Sequence, residues 1–239
     1  MAEAQPVGIY RLPYEALFDP IALAAVYADT SRHYYWSDDF SAAYYIAQAQ
    51  RGFIAVSDTF DGKRYLLPEI QFAYAVLHFD NLHVSRHVRR ILKRDNPPLI
   101  ITEDISFLTP YLRRYHRDCW LDSTYEATLK AAHEKGENFT LTAAYIPDKT
   151  GTPIAGEIGY SIGRTYTSLS GFSSKEARFR NYGTAQMVLL ARHLQSQGYA
   201  FWNLGHPYMQ YKFSLGAVRY DRADFLALWY DAVAQDLPS

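Results

Sequence analysis

The chain has 239 residues, 49% of them hydrophobic, which is enough to bury the core of one large domain or of a small and a medium one. A net charge of −1 excludes binding of nucleic acid through overall charge, so such a partner requires a local basic patch. Short apolar runs, a start without the pattern of a signal peptide and a single cysteine, Cys119, argue against a spanning helix, export and an internal disulfide, and predict a cytoplasmic protein without a membrane partner.

The N-terminal part is predicted to contain a helix followed by strands. In "WSDDFSAAYYIAQAQRGFIAVSD", capping residues from Ser37 to Ser41 precede apolar residues at helical spacing, and Gly52 ends the helix before a strand. "KRYLLPEIQFAYAVLHF" then alternates or runs apolar, and Pro68 favours a strand start or an edge strand. We expect residues 1–78 to form a small N-terminal domain and residues 79–239 to form a larger one.

A basic helix is predicted in "LHVSRHVRRILKRDNPP". Ser85 is its expected N-cap. Five basic residues follow, spaced so that most of them share one flank: Arg86, Arg89, Arg90, Lys93 and Arg94. One interpretation is a solvated helix face above an apolar side that contains Val88 and Ile91; the other is a patch that binds nucleic-acid phosphates.

The larger domain is predicted to be a mixed sheet with helices packed on it. Two helices are predicted first, "ISFLTPYLRRYH" and "LDSTYEATLKAAHEKG", the second capped at Asp122 or Ser123 and ended by Gly136. Three antiparallel strands follow, joined by turns at 148–151 and at 163–164. A helix in "NYGTAQMVLLARHLQSQGY", ended by Gly198, then precedes the strand "AFWNLG" and a final helix, "RADFLALWYDAV". This order predicts an α+β fold.

The strands in "GEIGYSIGRTYTSLSGFSS" carry many small side chains. Glycines recur at Gly156, Gly159 and Gly163, and short hydroxyl side chains occur at Ser161, Thr165, Thr167, Ser168 and Ser170. Such a surface would let a substrate lie close to the sheet and bond to its backbone. The alternative is that the small residues only admit a packed neighbouring layer.

Seven segments together resemble the leucyl/phenylalanyl-tRNA-protein transferase family. They follow the order of the family from about Asp38 to about Arg222: "DDFSAAYYIAQAQRGFI", "LHVSRHVRR", "ITEDISF", "CWLDSTYEATLKAAHEKG", "IAGEIGYSIG", "SLSGFSS" and "YKFSLGA". The resemblance implies a GNAT-like acyltransferase fold, in which a central helix follows the third strand of a meander, with a small N-terminal domain.

The resemblance also implies an activity. An aminoacyl group would pass from the 3′ end of charged tRNA to the free α-amino group of a protein or peptide, marking a protein acceptor for degradation in an N-degron pathway. The basic residues between Arg86 and Arg94 would then hold the backbone of the acceptor stem. Trp120 matches a family tryptophan that stacks on the terminal adenine, although a core tryptophan at a helix start is an equal alternative.

Three positions depart from the family pattern. Val56 stands where the family has a second adenine-contacting tryptophan, and Leu169 stands where it has a glutamate before a serine. Residues 203–205 are Asn-Leu-Gly where the family has Asp-Cys-Gln. The donor, the acceptor or the mechanism is therefore open to change.

Aminolysis of an ester needs a proton acceptor for the attacking amine. The candidates are Glu157, His206 and a water ordered by Asn203, and Ser170 is expected to line the same centre. Tyr160 and Tyr166 are expected beside Glu157, where burial would raise its pKa. Glu157 can also be read as an outward-facing strand residue, and His206 as a structural turn residue.

A second pattern points to another donor. Arg180 to Ala185, "RNYGTA", fits the R-x-x-G-x-A sequence with which coenzyme-A-dependent relatives hold pyrophosphate, so Arg180 and Gly183 are candidate donor-binding residues. An acyl-CoA-dependent N-acyltransferase is therefore the first alternative, and a non-catalytic module that binds tRNA or protein N-termini is the second. Under the tRNA-dependent interpretation we expect neither a cofactor nor a metal.

Overall fold

A computed structural model describes residues 8–116 and 120–237 of the protein, so Cys119 lies outside the described residues. The helices are α1 (Pro20–Ala28), α2 (Ala42–Gln50), α3 (Arg86–Arg94), α4 (Thr109–Tyr115), α5 (Ser123–Lys135), α6 (Tyr182–Ser196), α7 (Gln210–Ser214) and α8 (Arg222–Val233). The strands are β1 (Tyr10–Arg11), β2 (Tyr35–Trp36), β3 (Ile54–Phe60), β4 (Lys63–Glu69), β5 (Ala73–Leu77), β6 (Ile100–Thr102), β7 (Phe139–Pro147), β8 (Pro153–Ile162), β9 (Thr165–Ser173), β10 (Phe201–Asn203) and β11 (Val218–Asp221).

A seven-stranded mixed sheet organises the molecule, with the strand order β11-β5-β10-β9-β8-β7-β6. Strands β7, β8 and β9 form the predicted antiparallel meander. Helix α6 follows, and β10 then returns parallel to β9. The α+β prediction and its GNAT-like order are confirmed.

Helix ends follow the predicted local chemistry. The hydroxyl of Ser41 accepts a hydrogen bond from the Tyr44 N–H at 3.2 Å, and that of Ser85 accepts one from the Val88 N–H at 3.3 Å. The carboxylate of Asp122 caps α5 through the Tyr125 N–H at 2.8 Å. Each side chain satisfies a backbone donor that the first helical turn leaves without an internal partner.

The large sheet buries an apolar layer on both faces. On one, the α6 face, α3 and α6 pack on residues that include Ala144, Tyr166 and Trp202. On the other, the α5 face, helices α2, α4, α5 and α8 pack on residues that include Leu141 and Ile158. Side chains alternate between faces along each strand, so neighbours in the sequence enter different layers.

The parallel pair β9–β10 is short. Its last paired residues are Thr167 and Asn203, whereas β9 continues to Ser173. Ile158 pairs with Ser170 and Gly159 with Ser168, which leaves Leu169 as a bulged residue on the α5 face. Beyond Asn203 the chain leaves the sheet, and we call this place the strand separation.

The N-terminal part forms its own small β structure. Strands β3 and β4 pair as an antiparallel hairpin that includes Pro68, and β1 pairs with β2. Strand β5, which precedes residue 78, lies inside the large sheet between β11 and β10. The division into domains 1–78 and 79–239 stays a prediction.

A buried arginine connects the chain's two ends. Arg222, at the start of α8, is 6% exposed, and its guanidinium points toward the N-terminal part. It donates hydrogen bonds to the backbone carbonyls of Val26, Tyr27, Asp29, Arg32, Ile70 and Gln71. The loop after α1 and the link between β4 and β5 thus share one donor.

The glycines of the meander do not leave an open surface. A Cβ on Gly159 would lie 2.4 Å from the Thr167 carbonyl oxygen and 2.5 Å from the Tyr166 hydroxyl. Gly163, at a φ of 53°, approaches the backbone of α8 so closely that a Cβ would lie 2.5 Å from the Val233 carbonyl oxygen. The expectation of a bare surface for a substrate is wrong, because neighbouring groups occupy the space.

Candidate active site

Glu157 lies in the middle of β8 with its side chain on the α6 face. The residue is 4% exposed. Its Oε1 accepts hydrogen bonds from the hydroxyls of Tyr166 at 3.0 Å and Ser168 at 2.8 Å, and Ser168 in turn accepts one from the Trp202 indole at 2.8 Å. An outward-facing strand glutamate, the plain sequence interpretation, is excluded.

The environment of Glu157 raises the pH at which its carboxyl group loses its proton. Burial raises the pKa of Glu157 to about 7, against the opposing effect of the hydrogen bonds from Ser168 and Tyr166 and of the positive charge of Lys212. Burial likewise lowers the pKa of Lys212 to about 8, with the Glu157 charge opposing that change. Both groups therefore change charge close to pH 7, which suits proton transfer.

Lys212 fixes the chain after β10. It is 6% exposed, and its Nζ donates hydrogen bonds to the carbonyls of Leu204 at 2.5 Å and His206 at 2.7 Å. The Oδ1 of Asn203 accepts a hydrogen bond from the Gly205 N–H at 2.9 Å. These contacts hold the turn that carries His206 beside the strand separation.

His206 is bonded to a glutamate that the sequence analysis did not select. Its Nε2 lies 2.9 Å from Oε2 of Glu69, and Oε1 of Glu69 lies 2.7 Å from Nδ1 of His33. Glu69 is 3% exposed, so one buried carboxylate serves two imidazoles that are each about one-third exposed. The ring of Tyr208 stacks on His206 at 5.0 Å.

The predicted catalytic residues divide between the two faces of the sheet. The Asn203 amide reaches Thr167 at 3.5 Å, whereas Glu157 bonds to Tyr166 and Ser168. Because Thr167 stands between those two residues in β9, Asn203 and Glu157 lie on opposite faces. The two side chains therefore do not contact each other, although the partner of each lies near the strand separation.

The remaining predicted residues of the meander have separate surroundings. Ser170 is partly buried opposite Ile158, beyond the last residue that pairs with β10. Tyr160 is buried on the α5 face and stacks on Phe139 at 5.1 Å, so it lies on the side away from Glu157. Tyr166 contacts Glu157, as predicted.

Trp120 lies at the partly buried edge of the α5-face core. Its ring meets Tyr125 edge-to-face at 4.8 Å, and its carbonyl accepts a hydrogen bond from the Ser57 hydroxyl at 2.7 Å. Val56, on the same hairpin, is also partly buried. The base-stacking role of Trp120 stays a prediction.

The basic helix α3 has an exposed charged side. All five predicted basic residues are exposed, while Val88 and Ile91 pack into the α6-face core. Arg94 pairs with the neighbouring Asp95 at 2.6 Å. The other four have no ion pair among the residues that the structure describes, and Trp120 lies on the opposite face of the sheet.

Helix α6 begins without a side-chain cap. Asn181 has a φ of 70° and makes no capping hydrogen bond. Arg180 and Asn181 line a cavity of about 250 Å³ together with His87 of α3. Gly183 faces Ser173, whose Cβ would be 3.0 Å from a Cβ added to the glycine. The geometry leaves backbone donors of α6 available to an anion.

Within 8–116 and 120–237, no three His, Cys, Asp or Glu residues are placed to hold a metal ion. Over the same ranges, no helix combines the length and apolarity that a bilayer span requires.

The meander, the following helix and the parallel strand form the GNAT-like α+β order that the sequence predicts. Within this fold class, the chain belongs to the leucyl/phenylalanyl-tRNA protein transferase family, which it matches over residues 76–229. The resemblance predicted from the sequence motifs is therefore confirmed at the level of the family. The match begins at residue 76, so the likeness of the earlier segment from Asp38 stays a prediction.

Solved structures give a more distant likeness. L-PGS from Bacillus licheniformis matches at 13% identity and a TM-score of 0.44, over 67% of this chain and 65% of that chain. FemX matches at 13% identity and a TM-score of 0.46, over 62% of this chain and 59% of that chain. The chain thus spans about three-fifths of the length of these structures. No curated protein sequence matches it.

Glu69 and Lys212 are the site residues that sequence reasoning missed. Glu69 interrupts the apolar run "YLLPEIQF", and Lys212 precedes the phenylalanine of "YKFSLGA". A single charge inside an apolar segment is the signal that could have found both, because such a charge is buried only with partners.

Proposed function

We propose that this protein transfers an aminoacyl group from charged tRNA to the α-amino group of a protein or peptide. The observation that carries the proposal is membership of the leucyl/phenylalanyl-tRNA protein transferase family over residues 76–229. Tagging of N-degron substrates in the cytoplasm is the finer form of the same proposal.

The exposed basic side chains of α3 support charged tRNA as the donor. Arg86, Arg89, Arg90 and Lys93 point away from the apolar side that contacts α6. Such residues hold a nucleic-acid backbone without reading its sequence. In this proposal they bind phosphates of the acceptor stem, and Trp120 stacks on the terminal base.

The chemistry requires one proton to move. The neutral amine attacks the ester carbonyl, the new C–N bond forms, and the bond from the carbonyl carbon to the ribose oxygen breaks. The amine proton passes to a protein base and then to the departing ribose oxygen. Glu157, His206 and a water at Asn203 are the candidate acceptors near the strand separation, and Ser170 lines the same place.

A coenzyme A donor is the second candidate function. The uncapped start of α6, with Arg180 and His87 beside it, favours a phosphate-bearing ligand. The same position would also suit a phosphate of the tRNA end. Coenzyme A analogues should raise the melting temperature only if the donor is an acyl-CoA.

Mass spectrometry of acceptor peptides tests both proposals. Peptides with varied N-termini are incubated with the protein and a mixture of charged tRNAs, and in parallel with acyl-CoAs; the same peptides with acetylated N-termini are the control. We expect a gain equal to one amino acid, only with charged tRNA and only on free amines. A gain only with acyl-CoA would establish the second candidate, and tRNA binding without any gain would establish a non-catalytic module.

A further inference from the structure

The carboxylate of Glu69 is a buried charge with several partners. Besides His206 and His33, Nε2 of the buried Gln71 lies 3.4 Å from its Oε2. Burial and then the Glu69 charge raise the pKa of the neighbouring Tyr34. A buried carboxylate whose two oxygens both contact an imidazole can orient those rings.

Three contacts position His206. Glu69 binds Nε2, Tyr208 stacks on the ring with a 17° angle between the ring planes, and Lys212 binds the backbone carbonyl. The remaining nitrogen, Nδ1, is shielded from solvent and makes no hydrogen bond to any residue in the described ranges. An orphaned buried nitrogen is costly, and it is frequent where a group awaits a substrate.

The contact with Glu69 decides which nitrogen accepts a proton. A carboxylate without a proton can only accept a hydrogen bond, so the 2.9 Å contact between Nε2 and Oε2 of Glu69 favours the tautomer of His206 with its proton on Nε2 and its lone pair on Nδ1. We propose that Glu69 is a positioning residue that fixes His206 in this tautomer, and that Nδ1 of His206 takes the proton of the attacking amine. This inference rests on the proposed aminoacyl transfer.

The proposed step balances. As the amine nitrogen bonds to the ester carbon, its proton moves to Nδ1 and the imidazolium forms beside the Glu69 carboxylate, which stabilises the new charge. The imidazolium then protonates the ribose oxygen as the bond between the carbonyl carbon and that oxygen breaks. Neutral His206 and ionised Glu69 are restored.

His33 shares the carboxylate and competes for its charge. The centre of its ring lies 4.5 Å from that of Tyr34 and 4.8 Å from that of Phe72. The titratable and charged groups that face the pair are therefore His33 and Tyr34 on one side and Tyr208 and Lys212 on the other. Because several ionisable groups surround the pair, a pH profile alone cannot be assigned to His206. The tautomer of His206 is therefore the decisive measurement.

The first measurement is a kinetic assay. It uses charged tRNA and an acceptor peptide that gains an amino acid in the mass-spectrometric experiment. Glu69→Gln should lower kcat about 100-fold with KM for the charged tRNA unchanged, because the lost orientation affects proton transfer and not donor binding. The pH–rate profile of the variant is recorded beside that of the wild type. Glu69→Asp should restore part of the rate.

A matched control lies on the surface of the same protein. Glu103 pairs with His133 at 3.4 Å and is 68% exposed. Glu103→Gln should leave kcat and the pH profile unchanged. A Glu69→Gln variant that melts with the wild type, binds tRNA equally and retains its rate within about twofold would overturn the proposal.

The second measurement does not depend on turnover. Long-range ¹H–¹⁵N NMR of the histidines should show His206 protonated on Nε2 and unprotonated on Nδ1, and Glu69→Gln should abolish that preference. If the wild type transfers nothing from any charged tRNA, the proposed function fails, and the positioning claim is decided by this spectrum alone. His206 protonated on Nδ1 in the wild type would overturn it.

Discussion

Glu157 combines deep burial with hydrogen bonds that favour its charged form. The effect of burial is the larger, and it raises the pKa from 4.5 to about 7. The folded protein therefore holds this proton more tightly than the unfolded chain does. The consequence is a dependence of stability on pH that belongs to one residue.

Replacing Glu157 by glutamine should remove that dependence. In the wild type, the Glu157 contribution to the free energy of unfolding falls as pH rises from about 4.5 to about 7, in total by about 3 kcal/mol. Urea denaturation at pH 5 and pH 8 measures it, and the loss of stability between these values should be smaller in the variant. Glu176→Gln, an exposed control, should follow the wild type; a Glu157→Gln variant that also follows it would contradict the prediction.

The sequence predicted several residues of the site but not their partners. Glu157 and His206 were selected from their position in the fold and their chemistry. Glu69 was not, because its contact with His206 joins residues from distant parts of the chain, and periodicity in a sequence carries no information about such pairs. For the same reason, the division of Asn203 and Glu157 between two faces became visible only with the register of β9.

At the scale of the element, α3 has a packed apolar side and an exposed charged side. Its apolar side packs against α6, and the hydroxyl of Tyr182 in α6 donates a hydrogen bond to Asp95 at the end of α3 at 2.9 Å. The basic side chains on the other side are exposed and take no part in this packing. They can therefore be changed without loss of the fold.

Substituting Arg89 and Arg90 together by alanine should weaken tRNA binding. Each lost phosphate contact reduces the slope of log K against log salt concentration by about 1, so the slope should fall by about 2. The measurement is a salt titration of the binding constant by fluorescence anisotropy. An unchanged slope would exclude α3 from the tRNA interface.

The control removes the same charge from another helix. Lys130 and Lys135 lie on α5, on the opposite face of the sheet, and pair with Glu126 and Glu137 respectively. The Lys130→Ala/Lys135→Ala variant should retain the slope of the wild type. If it loses as much as the α3 variant, overall charge rather than α3 governs binding.

Elements with strong local signals were predicted well. The caps at Ser41, Ser85 and Asp122, the meander and α6 were all expected, since capping and alternation are local properties. The short strand β11 was not expected, because four mostly exposed residues form a strand only through pairing with β5.

At the scale of the whole molecule, Arg222 joins the N-terminal part to α8. Six backbone carbonyls converge on its guanidinium, from the end of α1, from the loop after it and from the link between β4 and β5. That link begins directly after Glu69. Arg222 therefore contacts the chain next to a residue of the candidate site.

Arg222→Met should lower the free energy of unfolding by about 3 kcal/mol or more. The methionine keeps an apolar stem but leaves buried carbonyls without a donor. Chemical denaturation measures the loss. Arg219→Met, three residues earlier and exposed, should change stability by no more than about 0.5 kcal/mol; equal effects of the two substitutions would refute the anchoring role.

The Arg222 contacts also set an order for synthesis on the ribosome. Arg32 and Arg222 are 190 positions apart, so the loop after α1 emerges long before its donor exists. During that interval its carbonyls depend on water. Arg222 can bond to them only after the start of α8 has left the exit tunnel.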